Sequence, residues 1–273
     1  MPFLDGIAEP FVVELRQRQT WSIFKGTHFH NCYELYYLAE GEVTYFVEDT
    51  IYPVKAGEMI LIPPATIHKT MPCGDIRHKR ILVYISSDFL IEFLALNPDL
   101  FACFAHTKIR TLKRERIEQL LHALLEEAKE LKDLVMVKAL LGELLTLLNR
   151  WSKHMESPET VRSGSASSEK ILEIVRYING TYSEDITLTH LPRRFYINPT
   201  YLSRKFKQVM GVSYSEYLTK IRMRAALHLL ANTRKKVSQI AQEVGFRSDN
   251  HFCKMFRQVM GMSPLAYRKS NIV

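Results

Sequence analysis

The chain has 273 residues, of which 47% are hydrophobic, so it is long enough to form two domains with separate cores. It contains no run of eighteen apolar residues, and residues 1–5 lack the basic and then apolar order of a signal peptide, which excludes obvious membrane and secretory segments and predicts a cytoplasmic protein. No Cys-x-x-Cys spacing occurs, which argues against a zinc finger or a disulfide framework; the cysteines are Cys32, Cys73, Cys103 and Cys253.

Charge is distributed unevenly along the chain. Residues 1–160 contain 18 Lys and Arg against 22 Asp and Glu, whereas residues 161–273 contain 19 against 7. The first part therefore has a net charge of −4 and the second a net charge of +12. A strongly basic part of this kind is typical of a domain that binds a polyanion such as double-stranded DNA. The alternative is a helical bundle with a solvated basic face.

Short runs of β-forming residues, separated by turn signals, fill the first part of the chain after an arm of residues 1–20. Many short strands at nearly regular spacing favour a sandwich or a small barrel. The predicted strands cover residues 21–24, 34–39, 43–48, 50–53, 59–63 and 80–86. Three isolated histidines, His78, His106 and His122, are interpreted as surface residues.

Helical periodicity replaces the strand pattern at about residue 110. Two amphipathic helices are predicted over residues 112–131 and 134–151, packed antiparallel. Their apolar stripes exceed what one small barrel should need to cover, which predicts a homodimer through these helices; the alternative is that both pack only on the barrel. The stripes consist of Ile117, Leu120, Leu121, Leu124, Val137, Leu140, Leu141, Leu144 and Leu148.

A segment near the C-terminus occurs twice, after a Ser/Gly/Pro-rich run over residues 156–168 that is interpreted as a flexible linker. Residues 205–211 (KFKQVMG) return fifty positions later as residues 255–261 (MFRQVMG). Each copy follows a short helical pattern, at residues 188–194 and 237–244, and a turn. Helix, turn and helix in this order indicate a DNA-reading helix-turn-helix.

The turn residues predict where each second helix starts. Asn198 is a candidate N-cap followed by Pro199, while Ser248 or Asp249 can cap the second copy and Gly245 permits a left-handed turn. Apolar residues at helical spacing then predict one buried stripe per helix: Leu202, Phe206 and Val209, and Phe252, Phe256 and Val259.

The opposite faces of these two helices carry side chains whose donors suit base edges and phosphates. We expect Arg204 to read a guanine, and Lys207 and Arg257 to contact phosphates. The alternative for Arg204 is an ion pair within its own domain. The candidate DNA-binding residues are Thr200, Ser203, Arg204, Lys207, Asn250, His251, Lys254 and Arg257.

Residues 171–269 resemble the AraC/XylS family of bacterial transcription regulators. The resemblance is carried by residues 237–246 (VSQIAQEVGF), Phe252, Phe256, residues 261–264 (GMSP) and residues 267–268 (YR). It implies two helix-turn-helix units joined by a long helix, here residues 213–231, which places the recognition helices about 34 Å apart on one side of the DNA. Predicted core positions on that helix are Tyr217, Leu218, Ile221, Ala225 and Leu229. Cys253 and Lys254 stand where the family more often has Ser and Arg. RNA polymerase is a candidate partner of such a regulator.

A second constellation lies among the predicted strands and resembles the two cupin motifs, which place histidines and a glutamate inside a barrel. It runs from residues 28–34 (HFHNCYE) through Gly41, Gly57 and Pro63 to His68, with Ala65 in place of the usual glycine. With a period of two, His28, His30, Glu34, Tyr36 and Leu38 would share one face if the strand is continuous.

Three interpretations of this constellation stay open. The favoured one is a pocket for a small effector, a sugar or related metabolite, with no cofactor required. A divalent transition metal (Zn, Ni or Fe) on His28, His30, Glu34 and His68 is the second, and purely structural histidines are the third. The candidate effector-binding residues are Trp21, Phe24, His28, His30, Glu34, Tyr36, Tyr45 and His68.

The sequence thus predicts an α+β multidomain fold. Residues 1–110 form a cupin-like barrel, 111–155 a helical dimerisation element, 156–168 a linker and 169–273 a double helix-turn-helix domain. The predicted function is a DNA-binding transcription regulator controlled by a small effector. The competing class is a metal-dependent cupin enzyme, an oxygenase or isomerase, with a DNA-binding tail; a third class is a DNA-binding scaffold without a sensor.

Overall fold

A computed structural model describes residues 10–18, 26–72, 77–87, 89–90, 93, 97–105, 107–110, 114–131, 133–153, 166–186 and 190–271. The chain divides into two compact units. Of the described residues, 10–18 and 31–153 belong to a barrel unit, and 26–30 and 166–271 to a helical unit.

Antiparallel strands build two sheets in the barrel unit. One sheet has five strands in the order β1-β7-β2-β5-β8, and the other has three in the order β4-β3-β6. The strands are β1 (Phe11–Arg18), β2 (Cys32–Glu40), β3 (Glu42–Val47), β4 (Thr50–Lys55), β5 (Glu58–Ile62), β6 (His68–Pro72), β7 (His78–Ser86) and β8 (Lys108–Arg110).

Five of the predicted strands are confirmed with small shifts at their ends, and residues 21–24 lie outside the described part. The predicted arm was wrong in part, because Phe11–Arg18 is a full strand paired with β7 along its whole length. The polar second half of β1 concealed its strand character, since β1 is the edge strand of the described sheet, where polar side chains are common. The strands β6 and β8 were also missed, as both are short and contain lysine.

Strand β2 separates two apolar clusters. Alternate residues such as Leu35 and Tyr37 belong to a cluster shared with the helices of this unit, whereas Tyr36 and Leu38 belong to the cluster between the two sheets. On the helix side, the Tyr37 hydroxyl donates to Glu118 Oε1 at 2.7 Å, and Arg114 Nε donates to the same oxygen at 3.0 Å.

The predicted helices are confirmed as α1 (Arg114–Glu126), extended by a π-helical turn (Glu127–Leu131), and α2 (Leu134–Ser152), with a 3-10 segment (Pro98–Ala105) before them. The stripes are buried against the sheet and against each other, apart from half-buried Leu140. The reason given for a dimer was therefore wrong, because these stripes are covered within the chain. Exposed apolar residues instead occupy the start of α2: Leu134 (55% exposed), Val135 (78%) and Met136 (45%).

The helical unit begins earlier than predicted. Helix α3 (Ala166–Thr181) starts inside the proposed linker, where two serines and then Glu169 suit a first helical turn; residues 154–165 lie outside the described part. The further helices are α4 (His190–Phe195), α5 (Pro199–Met210), α6 (Tyr214–Asn232), α7 (Val237–Glu243), α8 (Asp249–Met260) and α9 (Pro264–Asn271).

Helix α6 is the predicted bridge between the two helix-turn-helix units. Ser213 caps it with a capping box completed by Glu216. Tyr217, Leu218 and Ile221 are buried as predicted, but Ala225 and Leu229 are only half-buried. Their neighbours Ala226 and Leu230 are buried instead, because α6 packs against helices on more than one side.

Residues 26–30 pack within the helical unit. The Thr27 amide donates to the Met210 carbonyl at 3.1 Å, and the buried Lys220 ammonium donates to the Thr27 carbonyl. A Cβ on Gly26 would lie 2.6 Å from the Gly211 carbonyl oxygen, so only glycine permits this approach. No helix within the described residues combines the length and the apolar character needed to cross a membrane.

Candidate functional site

Local capping fixes the starts of the two recognition helices, α5 and α8. The Asn198 side chain accepts from the amides of Thr200 and Tyr201, and Pro199 occupies the first turn. In the second copy Ser248, rather than Asp249, is the N-cap and accepts from the His251 amide. Both helices end at a left-handed glycine, Gly211 or Gly261, as the repeated sequence predicts.

Each recognition helix buries one face and exposes the other. Leu202 and Phe206 are buried in α5 with Met210, while Val209 is half-buried; Phe252, Phe256 and Val259 are all buried in α8. The eight candidate DNA-binding side chains all lie on exposed positions: Thr200, Ser203, Arg204, Lys207, Asn250, His251, Lys254 and Arg257. The His251 ring also contacts Phe246, with ring centroids 5.6 Å apart.

The ion pairs between described residues of this unit involve none of the candidate DNA-binding side chains on α5 and α8. They join Lys170 to Glu173, Lys235 to Glu243 and Arg247 to Asp185. Arg204 forms none among the described residues, so its predicted alternative, an internal ion pair, receives no support. The exposed cations therefore remain available to a polyanion.

Sequence reasoning missed Arg222, which ties the two helix-turn-helix units together. This α6 residue donates from Nε to the Tyr182 carbonyl at 2.8 Å and from Nη2 to the Glu184 carbonyl at 2.9 Å. Its guanidinium also lies 5.7 Å from the centroid of Phe246, in the turn of the second unit. Burial lowers the pKa of Arg222, against the smaller raising effects of Tyr214 and Asp185, and the nearby Arg247 makes the smallest contribution, which also lowers it. No sequence motif predicts a half-buried arginine with this role on the bridge helix α6.

In the barrel unit, β2 presents part of the predicted constellation to the space between the sheets. Glu34, Tyr36 and Leu38 follow the predicted period of two. The condition of a strand continuous from His28 is not met, however, because β2 begins at Cys32. His28 and His30 precede it, with ring centroids 6.2 Å apart, in the segment that belongs to the helical unit.

Glu34, Tyr45 and His68 come together inside the barrel. The Tyr45 hydroxyl donates to Glu34 Oε1 at 2.8 Å, and His68 Nε2 lies 3.2 Å from Glu34 Oε2. His68 Nδ1 is 2.8 Å from the Thr66 carbonyl oxygen, which can only accept, so Nδ1 carries a proton. Burial, followed by the Glu34 charge, raises the pKa of Tyr45 well above its usual value. These groups form a polar centre in an apolar cluster.

Aromatic rings surround that polar centre. The Tyr36 and Tyr45 rings meet edge to face with centroids 4.9 Å apart, and the Tyr45 ring stacks on His68 at 6.1 Å. Burial raises the pKa of Tyr36 to about 12, against the lowering effect of Arg80. Trp21 and Phe24, the other predicted aromatic residues, lie outside the described residues.

Two buried polar side chains on β7, Arg80 and His78, were missed. His78 was interpreted as a surface residue, but it is 3% exposed; His122 is exposed as predicted, and His106 lies outside the described residues. The alternation of β7 could have found both, because His78, Arg80 and Leu82 share the face turned to the barrel interior.

Ala65 has the backbone conformation of the motif glycine that it replaces. Its φ is 61°, in the left-handed region that glycine favours, so the turn before His68 keeps the glycine conformation without the glycine.

Comparison with known proteins joins these two units in one family. Residues 11–145 match the family model of the AraC-like ligand binding domain, and residues 191–270 match that of a helix-turn-helix domain. The chain belongs to the AraC family of transcription regulators. Its barrel is therefore the ligand-binding domain of the family and its helical unit the DNA-binding domain.

Several curated AraC-family relatives span most of the chain. An uncharacterized HTH-type transcriptional regulator, YisR of Bacillus subtilis strain 168, is 26% identical over 98% of both chains. The raffinose operon transcriptional regulatory protein RafR of Pediococcus pentosaceus is 27% identical, with 90% of this chain and 88% of the relative covered. The melibiose operon regulatory protein of Escherichia coli K12 is 23% identical, with 90% and 84% covered.

Proposed function

We propose that α5 and α8 of this AraC-family regulator read two neighbouring major-groove segments on one side of a DNA duplex. The observation that carries this proposal is the pair of exposed polar faces on two capped helices in a unit of high positive charge. Arg222 supports it further, because a fixed spacing between recognition helices selects a fixed spacing between half-sites. The protein would act in the cytoplasm, where its DNA target lies.

The effector is proposed to bind at the polar centre of the barrel, on Glu34, Tyr36, Tyr45 and His68. Carboxylate, imidazole and phenol groups beside aromatic rings suit a hydroxyl-rich ring such as a sugar. The names of the raffinose and melibiose operon regulators support the same class of effector. Occupancy would then bias the placement of the DNA-binding domain.

The barrel is proposed to bind its ligand without converting it. One carboxylate oxygen of Glu34 accepts from Tyr45, and the other lies 3.2 Å from His68 Nε2, which donates to it only when both ring nitrogens of His68 are protonated. No cofactor is then required, and a Zn, Ni or Fe centre with His28 and His30 as further ligands is the alternative. Only Glu34 and His68 of that set are brought together within the barrel unit.

A homodimer through the start of α2 is also proposed. Leu134, Val135 and Met136 are consecutive exposed apolar residues, held in place by the Asp133 cap, whose side chain accepts from two amides of the first turn. Light scattering at micromolar concentration should give the mass of two chains, and Val135→Glu should halve it while Glu115→Gln on α1 should not. A monomeric wild-type protein would refute the dimer.

RNA polymerase is the proposed partner of the DNA-bound regulator.

Selection from a random duplex library tests the central proposal. The full chain should enrich a sequence with two half-sites about one helical turn apart, and sugars should change its affinity for that sequence. The same protein with Arg204→Ala and Asn250→Ala should enrich no sequence. Equal binding to enriched and scrambled duplexes by the wild type would contradict a sequence-specific regulator.

A further inference from the structure

A row of basic side chains faces the barrel interior beside the proposed effector site. In the β1–β7 ladder Arg16 stands opposite Arg80, and Arg18 opposite His78. Directly opposed residues share one face of a sheet, and in β7 this is the face of Leu82, which belongs to the cluster between the sheets. Three arginines and a histidine therefore lie on the inner face near one end of these strands.

Arg80 is the most deeply placed cation of this row. It is 6% exposed, and its guanidinium carbon lies 5.4 Å from the centroid of the Tyr36 ring. Its Nε is buried and has no hydrogen-bond partner within the described residues. A buried arginine donor without an acceptor is uncommon, because no hydrogen bond then replaces the lost water. Burial lowers the pKa of Arg80, but Tyr36, Tyr45 and Glu34 raise it overall, so the group is charged and can bind an anion.

Carboxylates on the same face are already engaged with other groups. Glu14 pairs with Arg16 at 2.5 Å near the strand edge, and Glu34 accepts from Tyr45 and lies 3.2 Å from His68 Nε2. Arg18 is half-buried, and burial, then the charges of Arg80 and Arg16, lowers its pKa. Mutual repulsion between Arg18 and Arg80 would be relieved by an anion on this face.

Exposure increases along the row from Arg80 through Arg18 to Arg16. A ligand entering from the β1 edge would thus pass the exposed Arg16, which is paired with Glu14, and then meet Arg18 before it reaches Arg80 beside Tyr36. The planar guanidinium group binds carboxylate or phosphate oxygens through two parallel hydrogen bonds.

We propose that this face, with Arg80 and Arg18, binds an oxyanion carried by the effector, a carboxylate or a phosphate, so that the effector is an acidic or phosphorylated polyhydroxy compound and not a neutral sugar. The inference rests on the proposed effector site, since Arg80 and Tyr36 border its polar centre. It adds a charge requirement that Glu34, Tyr45 and His68 do not impose.

Thermal unfolding of the full chain in inorganic phosphate and in acetate, each compared with chloride at equal ionic strength, tests the proposal. Phosphate or acetate should raise the melting temperature, since a ligand of the folded state stabilises it. Arg80→Gln should weaken the apparent affinity for that anion by about tenfold. Arg16→Gln is the matched control, because Arg16 is exposed and paired with Glu14, and it should keep the full response. Arg18→Gln provides a second test if Arg80→Gln does not fold.

Each outcome has a defined meaning. A response to phosphate assigns a phosphate ester, and a response to acetate assigns a carboxylate. Equal responses in the wild type, Arg80→Gln and Arg18→Gln would place the anion on the basic DNA-binding domain and overturn the proposal. No response in the wild type would overturn it as well. A neutral sugar that raises the melting temperature when neither anion does would refute the charge requirement while leaving the regulator function intact.

Discussion

Tyr196 and Gly245 occupy the same left-handed position, between the first and second helices of their respective helix-turn-helix units, with φ of 52° and 90°. Gly245 fits because a Cβ there would lie 2.8 Å from the Ser183 carbonyl oxygen. Tyr196 is 97% exposed, so it has the strained backbone without the crowding. The two copies thus share a turn conformation and differ in what surrounds it.

Opposite stability effects are expected at these two positions. Tyr196→Asn should stabilise the protein by about 0.5–1 kcal/mol, because Asn tolerates the left-handed region better. Gly245→Ala should destabilise it by roughly 2 kcal/mol through strain and the Ser183 contact. Chemical denaturation measures both, with Tyr196→Phe as a control that keeps the strain and should change nothing. A destabilised Tyr196→Asn variant would contradict this account.

Substitution of Arg204 and substitution of Lys207 should weaken DNA binding in different ways. Arg204→Ala should cost about 1–3 kcal/mol at the preferred site and relax discrimination at one base pair, because a bidentate contact to a guanine is lost. Lys207→Ala should weaken all sequences similarly and reduce the salt slope by about one. Titrations of matched and mismatched duplexes over a salt series separate them. Equal loss of specific and non-specific affinity in Arg204→Ala would show that it contacts only the backbone.

Alkaline pH should stabilise the helical unit through Lys220. Burial lowers the pKa of this lysine from 10.5 to about 8, so the unfolded chain binds more protons between these values. The cost of burying the charge is present in full below pH 8 and is relieved by roughly 2–3 kcal/mol as pH rises towards 10. Lys69, whose pKa burial also lowers to about 8, should add a rise of the same sign.

Denaturation of the Lys220→Met variant between pH 7 and 10 measures the Lys220 contribution. The free energy of unfolding should rise less steeply with pH than in the wild type, whereas the same change at exposed Lys254 should leave the wild-type slope. Parallel curves for wild type and Lys220→Met would mean that Lys220 is charged in the folded protein.

Removal of divalent metals should leave the barrel intact. The Tyr45 hydroxyl already donates to Glu34, so dialysis against a chelator should not lower the melting temperature of protein purified without an affinity tag. Elemental analysis should find less than about a tenth of an equivalent of any transition metal. A stoichiometric ion, with a lower melting temperature after its removal, would instead support the metal site and reopen the enzyme alternative.

Local signals predicted the DNA-binding domain well. Caps at Asn198 and Ser248 and glycines at the helix ends act over a few residues, so they can be read directly from a sequence. Arg222 could not be found in this way, because its partners lie 38 and 40 residues away and are backbone carbonyls.

The barrel was harder to predict because its site depends on strand pairing. Period two grouped Glu34 with Tyr36 correctly, but it would have included His28 and His30 only in a continuous strand, and β2 begins at Cys32. Arg80 became a neighbour of the site through the β2–β7 register and Arg18 through the β1–β7 register, and β1 was not recognised as a strand. The partner strand and its register decide whether a polar residue faces the barrel interior, and a single sequence does not show which strands pair.

Two successive residues of strand β2 face opposite sides of the sheet. Tyr36 faces the proposed ligand, and Tyr37 donates a hydrogen bond to Glu118 on helix α1. Successive residues of a strand share a stiff backbone, so a ligand that displaces Tyr36 also displaces the anchor of α1. We therefore expect β2 to couple ligand binding at Tyr36 to the position of helix α1.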